Sequence, residues 1–130
     1  MANSATLIDT IPATYKNNIG PVYEYEIAID TINTPLSIRV PSVATNRLWV
    51  VGAFFSDSAA LNLTLSTLTK SQTLQLAANQ GILEAGNGGY LFVGAPGETL
   101  NIQSSTVITA SVGFNLILRL VEAQKVPVGY

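Results

Sequence analysis

Residues 61–68 read Leu-Asn-Leu-Thr-Leu-Ser-Thr-Leu, with an apolar side chain at alternate positions through Leu65. A helix would scatter Leu61, Leu63 and Leu65 around its circumference. A strand sends them to one face and Asn62, Thr64 and Ser66 to the other. The same period recurs along the chain. Tyr23, Tyr25, Ile27 and Ile29 alternate with Glu24, Glu26, Ala28 and Asp30, and Leu36, Ile38 and Val40 alternate with Ser37 and Arg39 until Pro41 stops the run. Leu74 and Leu76 repeat it. Phe114, Leu116, Leu118 and Leu120 share one face of residues 111–122, with Ile117 and Val121 on the other. Residues 47–55, RLWVVGAFF, are apolar on both faces, as expected of a strand covered twice. Shorter runs follow at residues 90–93 and 98–103.

Turn residues separate these runs: Asn33-Thr34-Pro35, Asp57-Ser58, Asn79 to Gly81, Asn87-Gly88-Gly89 and Ala95-Pro96-Gly97. Short strands punctuated at intervals of roughly ten residues, with no helical period between them, specify a sandwich or barrel. The expected fold is all-β, a single-domain jelly-roll-like β-sandwich of about eight antiparallel strands. Residues 22–122 form the sandwich in this reading, and 123–130 a C-terminal tail. Residues 1–21 hold isolated apolar positions at Leu7, Ile8, Ile11 and Ile19 that fit neither period, broken by Pro12, Gly20 and Pro21. They are expected to form an extended N-terminal arm that orders only against a partner.

Charge narrows the function. Charged residues make up 11% of the 130, the net charge is −2, and 48% of residues are apolar. An average soluble domain carries about 25% charged residues. An exterior of Ser, Thr, Asn and Gln, or surface hidden in subunit contacts, must take the place of ions. The six cations, Lys16, Arg39, Arg47, Lys70, Arg119 and Lys125, are scattered singly, which argues against nucleic acid as a partner. The first fifteen residues have neither the basic start nor the apolar run of a signal peptide, and no segment approaches the length of a spanning helix. Neither secretion by such a signal nor membrane insertion is expected.

The sequence contains no histidine and no cysteine. The commonest general base, the commonest metal ligand and every Ser-His-Asp or Cys-His arrangement go with them. An enzyme built from what remains would need carboxylates on separate strands. Glu24, Glu26 and Asp30 share a strand face and could form an acid pair or cation site, but an alternating strand must place polar residues outward in any case. The glycine runs at 86–89 and 93–98 have neither the lysine nor the following helix of a phosphate loop. No cofactor or metal is expected. The aromatic residues Tyr15, Tyr23, Tyr25, Tyr90, Tyr130 and Trp49 could stack on sugars, although core packing or subunit contact explains them better.

From Arg47 to Val121 the order of segments is RLWVVGAFF, LNLTLSTL, TLQLAANQG, a glycine-interrupted connection, GAPGETLNI and ASVGFNLILRLV. This stretch resembles small virion proteins of tailed phages, the head decoration or cement proteins and related jelly rolls. Residues 76–81 and 96–102 carry the resemblance. It implies a homotrimer on the outer capsid surface of a virion, clamping neighbouring major capsid proteins. Trp49, Val51, Phe55, Ile117 and Val121 are then the candidate subunit interface, and Leu7, Ile8, Ile11 and Tyr15 the candidate capsid-contacting arm. The competing expectation is a receptor- or glycan-binding tip domain of a phage tail fibre.

Overall fold

The computed structural model describes residues 3–12, 20–84, 90–109 and 115–124, and its described residues contain ten strands and no helix. The strands are β1 (Ser4–Ile11), β2 (Val22–Ala28), β3 (Leu36–Arg39), β4 (Arg47–Phe55), β5 (Leu61–Ser66), β6 (Ser71–Leu76), β7 (Gly81–Glu84), β8 (Phe92–Val93), β9 (Leu100–Ser104) and β10 (Leu116–Ala123). One sheet runs β1-β2-β10-β4-β7, with β8 also paired to β4; the other runs β3-β9-β5-β6. All pairings are antiparallel. With β1 and β8 set aside, β2-β10-β4-β7 facing β3-β9-β5-β6 is the strand order of a jelly roll, the all-β sandwich expected from the sequence.

The core lies between the sheets and is made by the alternating residues. Ile27, Leu63, Leu65, Leu100, Ile102, Leu116, Leu118 and Leu120 are all fully buried in one cluster. Each fully buried Leu or Ile contributes about 1.5–3 kcal/mol, so the period-2 pattern is also the main source of stability. Asn33 and Asn79, at turns marked by the sequence, adopt positive φ (54° and 52°), a conformation asparagine tolerates unusually well.

Two strands depart from expectation. β7 falls just after the turn at Asn79 and pairs with Gly52–Phe55 of β4, while β8 pairs with Trp49 and Val50. Together they occupy one strand position beside β4, and four residues are too few to reveal a period. β1 corrects the reading of the arm. Ser4–Ile11 pairs along its length with β2, with a register shift between Leu7 and Asp9 that leaves Ile8 as the extra residue. That bulge resets the alternation by one position, which is why neither period fitted. Asn3 fastens its start, accepting from the backbone N–H groups of Asp30 and Thr31 (both 2.8 Å) and donating to the Thr31 carbonyl (2.9 Å).

Bulges also redirect two strand faces. In the pairing of β10 with β4, Arg119 faces Gly52 and Leu120 faces Val50, so Val51 is extra. In the pairing of β3 with β9, Ser37 faces Asn101 and Arg39 faces Leu100, so Ile38 is extra. Arg39, read as outward, thereby shares a register position with the fully buried Leu100, and Val40, read as inward, is 64% exposed.

Candidate interaction surface on the six-stranded sheet

The outer face of the larger sheet is where the sequence placed its subunit contacts. Because of the bulge at Val51, Trp49 and Val51 belong to this face but Phe55 does not. Leu48, Val50, Ala53 and Phe55 all pack in the main core, and Phe55 is fully buried there. Phe54 takes the outward place. Trp49 and Val121 form a second apolar cluster with Val93 and Ala123, flanked by Val22 and Val51. Trp49 and Val121 are each 1% exposed, so neither is free to meet another subunit. The Trp49 indole Nε1 is buried and has no hydrogen-bond partner among the described residues. Of the five residues proposed from sequence, Ile117 alone lines an open groove on this face.

That groove, about 220 Å³, is lined by Phe54, Ile82 and Ile117 over Ala53, with Glu24, Glu84 and Arg119 along it. Ile82 is 62% exposed. The charged group packs over Gly52, where a Cβ would stand in ordinary van der Waals contact, 3.6 Å from both the Arg119 Cδ and the Glu84 Cγ. Arg119 on β10 donates through Nε to Glu24 on β2 (2.7 Å) and through Nη1 to Glu84 on β7 (2.8 Å). One cation between two carboxylates leaves the set at −1. Glu24 is therefore engaged by Arg119 rather than forming an acid pair with Glu26, and among the described residues no group of three acidic side chains is placed to hold a metal.

The sequence missed a second polar centre at the β3 side of the sandwich. The bulge at Ile38 aims Arg39 across from its own sheet to the other, where its guanidinium stacks on the Tyr23 ring at 3.8 Å and donates to the Tyr25 hydroxyl at 3.0 Å. Its Nε donates to Glu122 at 3.3 Å. The Glu122 carboxylate also accepts from the Ser42 backbone N–H (2.8 Å), the Ser42 hydroxyl and the Asn46 amide (2.7 Å). Burial alone would push the Glu122 carboxyl up, but the hydrogen bonds from Asn46, Ser42 and Arg39 outweigh it and hold it below the usual range. Four donors converge on this one carboxylate. The arrangement is a bracket joining β10, β3 and the β3–β4 connection.

Of the aromatic residues that could have stacked on sugars, three of the four among the described residues are withdrawn from the surface. Trp49 and Tyr25 are buried, Tyr23 lies under Arg39, and Tyr90 is 36% exposed. Tyr15 and Tyr130 lie outside the described residues, as do the glycines of 86–89. Of the arm residues, Leu7 and Ile8 are exposed on β1 and Ile11 is half-buried. Comparison with known proteins finds no family whose model matches the chain and no curated protein similar to it.

Proposed function

We propose that this chain is a structural protein that associates with copies of itself and, as a homotrimer, binds the outside of a phage capsid and stabilises its lattice of major capsid proteins. The observation that carries the self-association is the groove of Phe54, Ile82 and Ile117 on the outer sheet face of a sparsely charged jelly roll. The resemblance of residues 47–121 to decoration proteins supplies the capsid as partner. Leu7 and Ile8, exposed on the edge strand, are suited to contact that lattice. Such a protein needs no turnover. Each copy grips across capsomer boundaries, and several weak contacts held together resist expansion far better than one.

The test is light scattering on the purified protein together with cosedimentation on capsids stripped of their outer proteins. Trimer mass and saturable binding are expected, and Ile82→Asp, at an exposed position, should reduce association while leaving thermal unfolding unchanged. A chain that is monomeric at all concentrations and does not sediment with capsids refutes the reading.

A further inference from the structure

Among the described residues the two sheets have four edges, and three of them are blunted against further pairing. β1 is bulged at Ile8, carries Asp9 and ends before Pro12. β3 has four residues, a bulge at Ile38, the charged Arg39, and prolines at 35 and 41 on either side. β7 carries the charged Glu84, ion-paired with Arg119 across β4. These are the devices by which sheets avoid edge-to-edge association. β6 has none of them. Ser71–Leu76 pairs with Leu61–Ser66 in unbroken register, contains neither charge nor proline, and among the described residues pairs with no other strand.

We propose that the β6 edge is a self-pairing surface, on which the β6 of a second copy adds antiparallel about a two-fold axis to join two four-stranded sheets into one of eight. The charge pattern selects the occupant. A two-fold axis through the strand sets the central residue opposite its own copy and the others opposite neighbours within the same strand, so a charge at the centre would be opposed by its own like. Ser-Gln-Thr-Leu-Gln-Leu is neutral throughout and meets no such repulsion whichever residue lies on the axis. The sheet behind it continues the pattern. Asn62 faces Gln75, Thr64 faces Thr73 and Ser66 faces Ser71 across the β5–β6 pair, and Asn101 and Gln103 extend the rows onto β9. The hydroxyls of Thr64 and Thr73 lie 3.3 Å apart, a cross-strand hydrogen bond that the added strand can repeat. A second copy therefore extends uncharged rows of hydroxyls and amides, with no ion to desolvate. This contact lies on the opposite sheet from the Phe54 groove and does not depend on the capsid reading.

Sedimentation of the purified chain over a hundredfold range of concentration tests it. The smaller species, monomer or trimer, reports on the proposed trimer; doubling of that species reports on β6. Thr73→Lys with Gln75→Lys places like charges opposite one another whether the axis passes through residue 73 or 74, and should abolish doubling, as should Thr73→Glu with Gln75→Glu. An equal mixture of the two variants should restore it. Wild-type chains that never double, lysine variants that double as wild type does, or a mixture that fails to recover each overturn the proposal. If the variants do not fold, as judged by circular dichroism, hydrogen exchange on the wild type decides. Amides of residues 71–76 should gain protection as concentration rises, and unchanged protection refutes self-pairing.

Discussion

Replacing Glu122 by glutamine should cost about 2–3 kcal/mol at neutral pH, with a pH signature that identifies the cause. The side chain is 5% exposed, and its carboxylate accepts four hydrogen bonds, from the Ser42 N–H and hydroxyl, Asn46 and Arg39. Hydrogen bonds to a charged group are worth about 1.5–3 kcal/mol each, against about 0.5–1.5 for neutral ones. Glutamine can turn its oxygen toward Ser42 and Asn46 and keep weakened bonds, but its amide then presents a donor to the Arg39 donor. One bond lost at about 1.5 kcal/mol and three weakened by a few tenths each give the stated sum. For a domain of this size that is a fall of very roughly 10 °C in melting midpoint.

The folded carboxyl lies below its ordinary value of 4.5, so its stabilisation is complete above that value and is lost as pH falls through the folded pKa. Urea unfolding of wild type and Glu122→Gln at pH 7 and at stepwise lower pH should show a gap that is full at neutrality and closes below about pH 4.5. A gap that stays constant down to pH 3, or that is under about 0.5 kcal/mol at pH 7, would refute the bracket as a charge-assisted centre.

Two further substitutions probe backbone and surface. Gly97 has φ of 74°, and a Cβ there would sit 2.9 Å from the Ala44 carbonyl oxygen, so Gly97→Ala should lower stability by at least about 1 kcal/mol in thermal unfolding; an unchanged midpoint would contradict the close approach. Arg119→Met removes both ion pairs to Glu24 and Glu84, yet Arg119 is 39% exposed, so the loss should stay below about 1 kcal/mol and should shrink in high salt; a larger, salt-independent loss would mean the trio carries structural weight beyond screened surface pairs.

The all-β class, the sandwich, the position of most strands and the inward leucines follow from the sequence, because alternation and turn chemistry are local properties. Leu61, Leu63 and Leu65 needed no knowledge of a partner strand to be placed inside. Three single-residue bulges were invisible, because a bulge exists only relative to the strand it pairs with. The one at Ile8 turned an apparently aperiodic arm into β1, the one at Ile38 sent Arg39 across the sandwich to Tyr25 and Glu122, and the one at Val51 exchanged Phe55 for Phe54 on the outer face. The groove combines Phe54, Ile82, Ile117 and Glu24, whose neighbourhood depends on β2, β10, β4 and β7 lying side by side. Which strands face water, which edge is left unguarded and which apolar residues remain exposed are consequences of long-range pairing, and tertiary structure alone decided them.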